Sequence, residues 1–320
     1  MSNDNPLVSD TDTAPLLLPE AETTRARVLA AKSLSESTLR VYDARWRQFA
    51  GWCRERGVEC LPADPVTVAT WIGACGLSLS SIRVTLAAIG HAHKLALLAP
   101  PTTHPAVRAT LRGLTREQGA AQRQVQPLRL ETLRRILGSV PEDLMGLRDR
   151  AILLLGFAGA FRRSEIAGLD LGDLTWVDEG LVVTLRRSKT DQTGEGRKVA
   201  IPYGSDPLTC PVRATRRWLQ ERVESGLVGE PVFCSRGSGE RLSGAAVAGV
   251  VKRRADAAGV PSTDLSGHSL RSGFATEAAA RGASERSIAR QTGHRNLQTL
   301  RRYIREGTLW RENAATKLGL

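Results

Sequence analysis

One block of the chain breaks the pattern of everything around it. Between Leu174 and Tyr203, apolar residues come in three short runs, "LTWV", "GLVVTLRRS" and "RKVAIPY", joined by "DEG" and by the Gly-containing stretch "KTDQTGEG". Short runs rich in Val, Ile and Thr, bounded by turn residues, are strand signals, and connections this short make neighbouring strands antiparallel. Almost everywhere else apolar residues recur at steps of three and four, the spacing of one helix face. A chain with one small sheet among many helices must build its cores from helices packed on helices. The expected fold is therefore mainly α with a small antiparallel β-sheet.

The helices fall into two groups. Residues 1–28 are rich in Asp, Thr, Pro and Glu and lack periodicity, so a disordered tail is expected there. A helical domain is expected over 29–117. Leu39, Tyr42, Trp46, Phe49 and Cys53 mark one face of its first helix, which makes Tyr42 a core residue. Asp64-Pro65 starts a second helix, "SLSSIRVTLAAIGHAHKLALL" reads as a third, and "HPAVRATLRGLTRE" gives a short fourth. His91 and His93 stand two apart on a helix, so they cannot share a face for a metal. Residues 118–127, "QGAAQRQVQP", are polar and read as a linker. A second domain spans 128–320. It has "LRLETLRRIL" and a buried "GLRDRAILLLGFAGAF" before the strands, with "RRSEIAGLDLGDL" as a further helix. After them come six helices, the last near "LWRENAATKL".

Charge points to a partner. Lys and Arg number 45 against 33 Asp and Glu, a formal net charge of +12. That excess favours a polyanion, with nucleic acid ahead of a membrane surface. The cysteines (Cys53, Cys60, Cys75, Cys210 and Cys234) are odd in number and form no C-x-x-C pair, which argues against a disulfide framework and a zinc site. "PLLLP" is too short for a signal peptide or a membrane span, so a cytoplasmic protein with reduced thiols is expected.

Four separated elements then gain meaning together. In "FRRSEIAGL", Arg162 and Glu165 are three apart and share a helix face, leaving Arg163 about 100° away. Lys189 lies at the tip of the strand pair, with Lys198 as its rival across the hairpin. "HSLR" places His268 and Arg271 on one face. "GHRNLQTLRRYIRE" carries His294 and, nine residues on, Tyr303 among arginines. Each alone has an ordinary reading: a surface ion pair, a solvated lysine, a chance His-x-x-Arg. Jointly they suit attack on a phosphodiester. Two arginines can neutralise the non-bridging oxygens as charge builds. A phenol can act as nucleophile, its anion favoured by nearby arginines. Lys189 can protonate the leaving 5′ oxygen, and His268 and His294 can hold the phosphate or move protons. No carboxylate cluster has Mg²⁺-binding spacing, so the arginines must do a metal's electrostatic work.

This set resembles the tyrosine site-specific recombinases, the phage integrase family. Their pattern is Arg-x-(Ser/Thr)-Glu/Asp, a hairpin Lys, His-x-x-Arg, then Gly-His with a Tyr nine residues on. Here it is carried by Arg162-Arg163-Ser164-Glu165, Lys189, His268-Ser269-Leu270-Arg271, and Gly293-His294 with Tyr303. The resemblance implies a core-binding domain and a catalytic domain that clamp double-stranded DNA at specific recombination sites. It implies catalysis by Arg162, Lys189, His268, Arg271, His294 and Tyr303, with Glu165 in support. It further implies a 3′-phosphotyrosine intermediate without metal, ATP or other cofactor, and strand exchange in a homotetramer through a Holliday junction. A C-terminal helix that docks on a neighbouring protomer and accessory or directionality proteins are also implied. Two alternatives are a type IB topoisomerase and a non-catalytic DNA-binding protein.

Overall fold

The computed structural model describes Arg25 and residues 34–119, 126–186, 196–294, 296–309 and 313–318. The expected tail apart from Arg25, most of the expected linker and the tip of the strand pair lie outside these residues. Two units are present, Met1–Gln122 and Arg123–Leu320.

The first unit has four described helices: α1 (Glu36–Glu55), α2 (Pro65–Ala74), α3 (Leu79–Leu95) and α4 (Pro105–Gln118). Their starts follow from the sequence. Ser35, Asp64, Ser78 and His104 each accept a backbone N–H of the first turn, and Pro65 and Pro105 fill first-turn positions where no N–H is needed. Phe49, Val68, Trp71, Ile72, Ile82, Ile89 and Val107 form the core. His93 is fully buried: its Nε2 accepts from Ala63 N at 2.9 Å, so Nδ1 donates to Ile89 O at 2.8 Å. Tyr42 and Trp46 are only half-buried. They line a cleft of about 520 Å³ with Leu39, His91 and Leu95.

The second unit opens with α5 (Leu130–Gly138), α6 (Leu144–Ala158) and the short α7 (Arg163–Ala167). Strands β1 (Leu174–Val177), β2 (Gly180–Leu185) and β3 (Arg197–Pro202) follow as one antiparallel sheet in that order, with Leu174 opposite Val183 and Thr184 opposite Lys198. Then come α8 (Pro211–Glu224), α9 (Gly244–Ala257), α10 (Ser269–Ala280), α11 (Glu285–Thr292) and α12 (Leu297–Thr308). Helix α6 is the axis of this unit, since Ala151, Ile152, Leu153 and Leu155 are all wholly buried.

Two elements differ from the expected ones. "RRSEIAGLDLGDL" is not one helix. It stops at Ala167, and Leu169-Asp170 then runs extended beside Glu230–Val232, with Val232 N donating to Leu169 O at 2.8 Å. A single 3₁₀ turn follows at Leu171–Asp173. The last expected helix is also replaced. α12 continues through Gly307 to Thr308, and the described end of the chain holds only a 3₁₀ turn, Ala314–Lys317. Trp310, within that expected helix, lies outside the described residues, while Leu309 and Leu318 are exposed.

Candidate active site

Three elements meet where α6 ends. Gly156 has no side chain, and a Cβ there would stand 2.8 Å from Ile166 and 2.9 Å from Leu270. That vacancy lets α7 and α10 close on α6 together. Two residues later the chain turns. A Cβ on Gly159 would overlap the buried Phe161 ring, and Ala160 takes a left-handed φ of 50°. The turn delivers Arg162 to the start of α7.

Glu165 fixes that arginine. The carboxylate is buried, accepts from Arg162 N at 2.9 Å and from Arg162 Nη1 at 2.6 Å. A charge-assisted pair of this kind orients the guanidinium. Arg163 is exposed, its stem near Gly267 and Gly244.

Arg271 reaches the same turn from α10. Its side chain is buried, Nη1 donates to Ala160 O at 2.7 Å, and Nη2 has no hydrogen-bond partner among the described residues. Burial, with Arg162 close by, lowers its pKa to about 10, so it stays cationic at neutral pH. A buried cationic edge without an acceptor is a seat for an anion.

His268 sits at the start of α10, and its Nε2 lies 3.0 Å from Tyr303 Oη. Burial and the charges of Arg271 and Arg162 push its pKa below the ordinary imidazole value. Its ring is therefore neutral at pH 7. His294 follows Gly293, whose φ of 64° ends α11 in the left-handed region where glycine is favoured. The Thr292 hydroxyl donates to Ile288 O at 2.7 Å, so it accepts from His294 Nδ1, also at 2.7 Å. That leaves His294 Nε2 with its lone pair. Burial, then Arg271, Arg162, His268 and Arg197, push its pKa down to about 4.

Tyr303 is half-buried on α12, which packs on α10. Arg302 and Arg271 favour its anion, as expected, but they do not set the net shift in the free protein. Burial, with Glu306 adding to it, raises its pKa more than Arg302 and Arg271 lower it. Not every nearby arginine is free, either: Arg301 is paired with Glu285 at 3.1 Å.

Arg162, Glu165, His268, Arg271, His294 and Tyr303 thus converge, as the mutual electrostatic influences on Arg271, His294 and Tyr303 require. Lys189 lies outside the described residues. Its rival Lys198 is exposed on β3. The sequence reading missed Arg197, which is close enough to perturb Arg271 and His294. Among the described residues, no three His, Cys, Asp or Glu side chains are grouped to hold a metal ion.

Known proteins share this chain's sequence and fold. Residues 126–308 match the model of the phage integrase family. The integrase/recombinase xerD homolog of Selenomonas ruminantium is 35% identical over 302 residues, 92% of this chain and 89% of that protein. Recombinase cre of Escherichia phage P1 is 26% identical over 301 residues, 86% of this chain and 85% of its own length. Among solved structures, the Tn1549 transposon integrase in complex with transposon right end DNA superposes with a TM-score of 0.62 at 17% identity, covering 88% of this chain and 92% of that one. A lambda integrase tetramer bound to a Holliday junction gives 0.61 at 18% identity, covering 89% and 76%. At these identities the two structures speak for the fold.

Proposed function

The chain belongs to the phage integrase family, and from that premise we propose how its site cleaves and rejoins DNA. The protein is a tyrosine recombinase, acting in site-specific DNA recombination. The observation that carries the residue assignment is the pair His268 Nε2 and Tyr303 Oη at 3.0 Å, beside the unpartnered edge of Arg271.

Tyr303 Oη attacks the scissile phosphorus. A bond forms between Oη and phosphorus, and the bond to the 5′ oxygen breaks. Neutral His268 takes the phenolic proton through Nε2. Arg271 and Arg162, the latter held by Glu165, bind the non-bridging oxygens and strengthen their hold as the second negative charge develops. Burial is the main cause of the low His294 pKa, and the phosphate offsets the arginine part of it. With a proton taken from solvent, that imidazole donates from Nε2 to a non-bridging oxygen. Lys189 protonates the departing 5′ oxygen. The product is a 3′-phosphotyrosine and a free 5′ hydroxyl, and attack by a 5′ hydroxyl of a second duplex runs the same steps backwards. Bond energy is kept in the covalent link, so the cycle needs neither metal nor ATP.

The partner is double-stranded DNA carrying a specific site. The net charge of +12 supports it. The lambda integrase tetramer on a Holliday junction supports a homotetrameric synapse; accessory or directionality proteins rest on the family resemblance alone. No described helix is long and apolar enough to cross a membrane, and we place the protein in the cytoplasm with its DNA. The test is strand exchange. With two duplexes bearing a site selected for binding, recombinant products and Holliday junctions are expected. Supercoil relaxation without exchange indicates a topoisomerase, and binding without cleavage a DNA-binding protein.

A further inference from the structure

Arg197 opens β3 in step with Val199 and Ile201, so it shares their buried face while Lys198 and Ala200 face outward. A guanidinium there carries a desolvation cost, which only well-placed partners offset. Its Nη1 donates to Gln291 O at 2.8 Å, in the last turn of α11. A cation suits that end of a helix, where carbonyls lack partners. Its Nη2 stands 3.6 Å from Glu165 Oε2, an ion-pair distance. Its Nε lies against the backbone of Gly293, and a Cβ on that glycine would be 2.8 Å away. Nε and Nη2 have no hydrogen-bond partner among the described residues. Burial lowers its pKa, with Glu165 opposing the shift and Arg162 adding to it.

One guanidinium therefore bridges three pieces of the site. It joins β3, the α11 turn that presents His294, and the carboxylate that holds Arg162. We infer that Arg197 is a positioning residue for DNA cleavage, which locks the His294 turn against the Glu165–Arg162 pair. The inference rests on the reading of Arg162 and His294 as phosphate ligands. An ordinary structural arginine would be satisfied by backbone carbonyls, as Arg222 is by Leu227, Gly229 and Pro231. Arg197 instead divides its contacts between two functional groups, and Gly293 leaves the room it occupies.

The experiment separates binding from chemistry on a suicide half-site, using Arg197→Met, Arg197→Lys, Gly293→Ala and the double variant Arg197→Met/Gly293→Ala. DNA affinity should stay within about twofold of wild type while the single-turnover rate of adduct formation falls about 10- to 100-fold, the scale of a misplaced reactive geometry. Arg197→Lys keeps the charge but cannot span Gln291 O and Glu165, so it should recover little. In the wild-type background Gly293→Ala should slow the reaction similarly, both by displacing the guanidinium and by straining the left-handed turn before His294, and only the first of these depends on Arg197. Gly293→Ala should therefore add less once Arg197 is already Met, giving a non-additive cycle. The inference is overturned if Arg197→Met only lowers the melting temperature and leaves the rate, well below that temperature, within about threefold of wild type. Fully multiplicative effects in the cycle would overturn it too. Should Arg197→Met fail to fold, a wild-type rate in either Arg197→Lys or Gly293→Ala decides against it. Wild type and Tyr303→Phe are run beside them. An adduct in Tyr303→Phe, or none in wild type, refutes the reading of the site itself and is told apart by that control.

Discussion

Replacing Gly307 with Ala should slow cleavage far more than it unfolds the protein. Gly307 lies one turn after Tyr303 on α12, and it packs on α10 where a Cβ would stand 2.3 Å from Thr276 O and 3.0 Å from Ala279 Cβ. The first contact is with backbone, which cannot rotate away. Carbon and oxygen need roughly 3.3 Å, so α12 must retreat by about 1 Å. Overpacking of this kind costs about 1–3 kcal/mol, and the better helix propensity of Ala returns up to about 1 kcal/mol. A net loss of about 0–3 kcal/mol leaves a folded protein. The nucleophile is less forgiving. Its Oη sits 3.0 Å from His268 Nε2, and a displacement of about 1 Å in a reacting group costs on the order of 100-fold in rate. The assay is single-turnover adduct formation on a suicide half-site, with DNA affinity measured by anisotropy and stability by thermal melting. A rate within about threefold of wild type would show that α12 does not depend on this close approach to place Tyr303.

Three further outcomes follow from the site. Glu165→Gln weakens the hold on Arg162 and should cost about 1–3 kcal/mol in stability, since Glu165 is buried and makes two hydrogen bonds to Arg162. It should also slow adduct formation at least about 10-fold, and an unchanged rate would remove Glu165 from the positioning scheme. The folded-state pKa values of His268 and His294 lie below the ordinary value of 6.5, His294 at about 4. Below that ordinary value the unfolded chain binds the extra protons, so stability is fully present above it and falls as pH drops towards about 4. Urea unfolding of the free protein should show this slope, and His294→Gln should flatten it; a stability that rises on acidification contradicts a neutral His294 in the folded protein. Lys189→Ala should slow cleavage of ordinary DNA by roughly 10²–10⁴-fold, and a bridging 5′-phosphorothiolate, which leaves without a proton, should restore much of the rate. Rescue of Lys198→Ala instead would name the other lysine as the acid.

Much of this architecture can be read from residue spacing. The strands "LTWV" and "RKVAIP" and the helix starts at Ser35, Asp64 and Ser284 follow from local chemistry, because turn residues and caps act within a few positions. The pairing of Arg162 with Glu165 is likewise local. What escapes is tertiary. The end of α7 at Ala167 depends on the chain pairing with Glu230–Val232, about sixty residues on, which no local pattern encodes. The rise in the Tyr303 pKa depends on how deeply α12 seats on α10; Arg302 and Arg271 pull it down, as the sequence suggests, but the opposing burial is not legible in residue spacing.

Arg197 marks the boundary between these cases. A signal for it exists in the alternation of β3, where it occupies the position that Val199 and Ile201 continue. That alternation says the side chain is buried. It does not say against what. The partners, Gln291 and Glu165, come from segments on either side of the strand in the chain, and only the packed structure joins them.

The central claim is that Tyr303 becomes covalently joined to DNA with the protein's own side chains, and no metal ion, supplying the positive charge. Its most direct test is a suicide substrate incubated with the protein in EDTA, followed by protease digestion and mass mapping of the linked peptide. A 3′-phosphate on the peptide containing Tyr303, absent from Tyr303→Phe although that variant still binds DNA, is the predicted result. A link to another residue, an adduct that persists in Tyr303→Phe, or a strict need for a divalent metal would contradict the account.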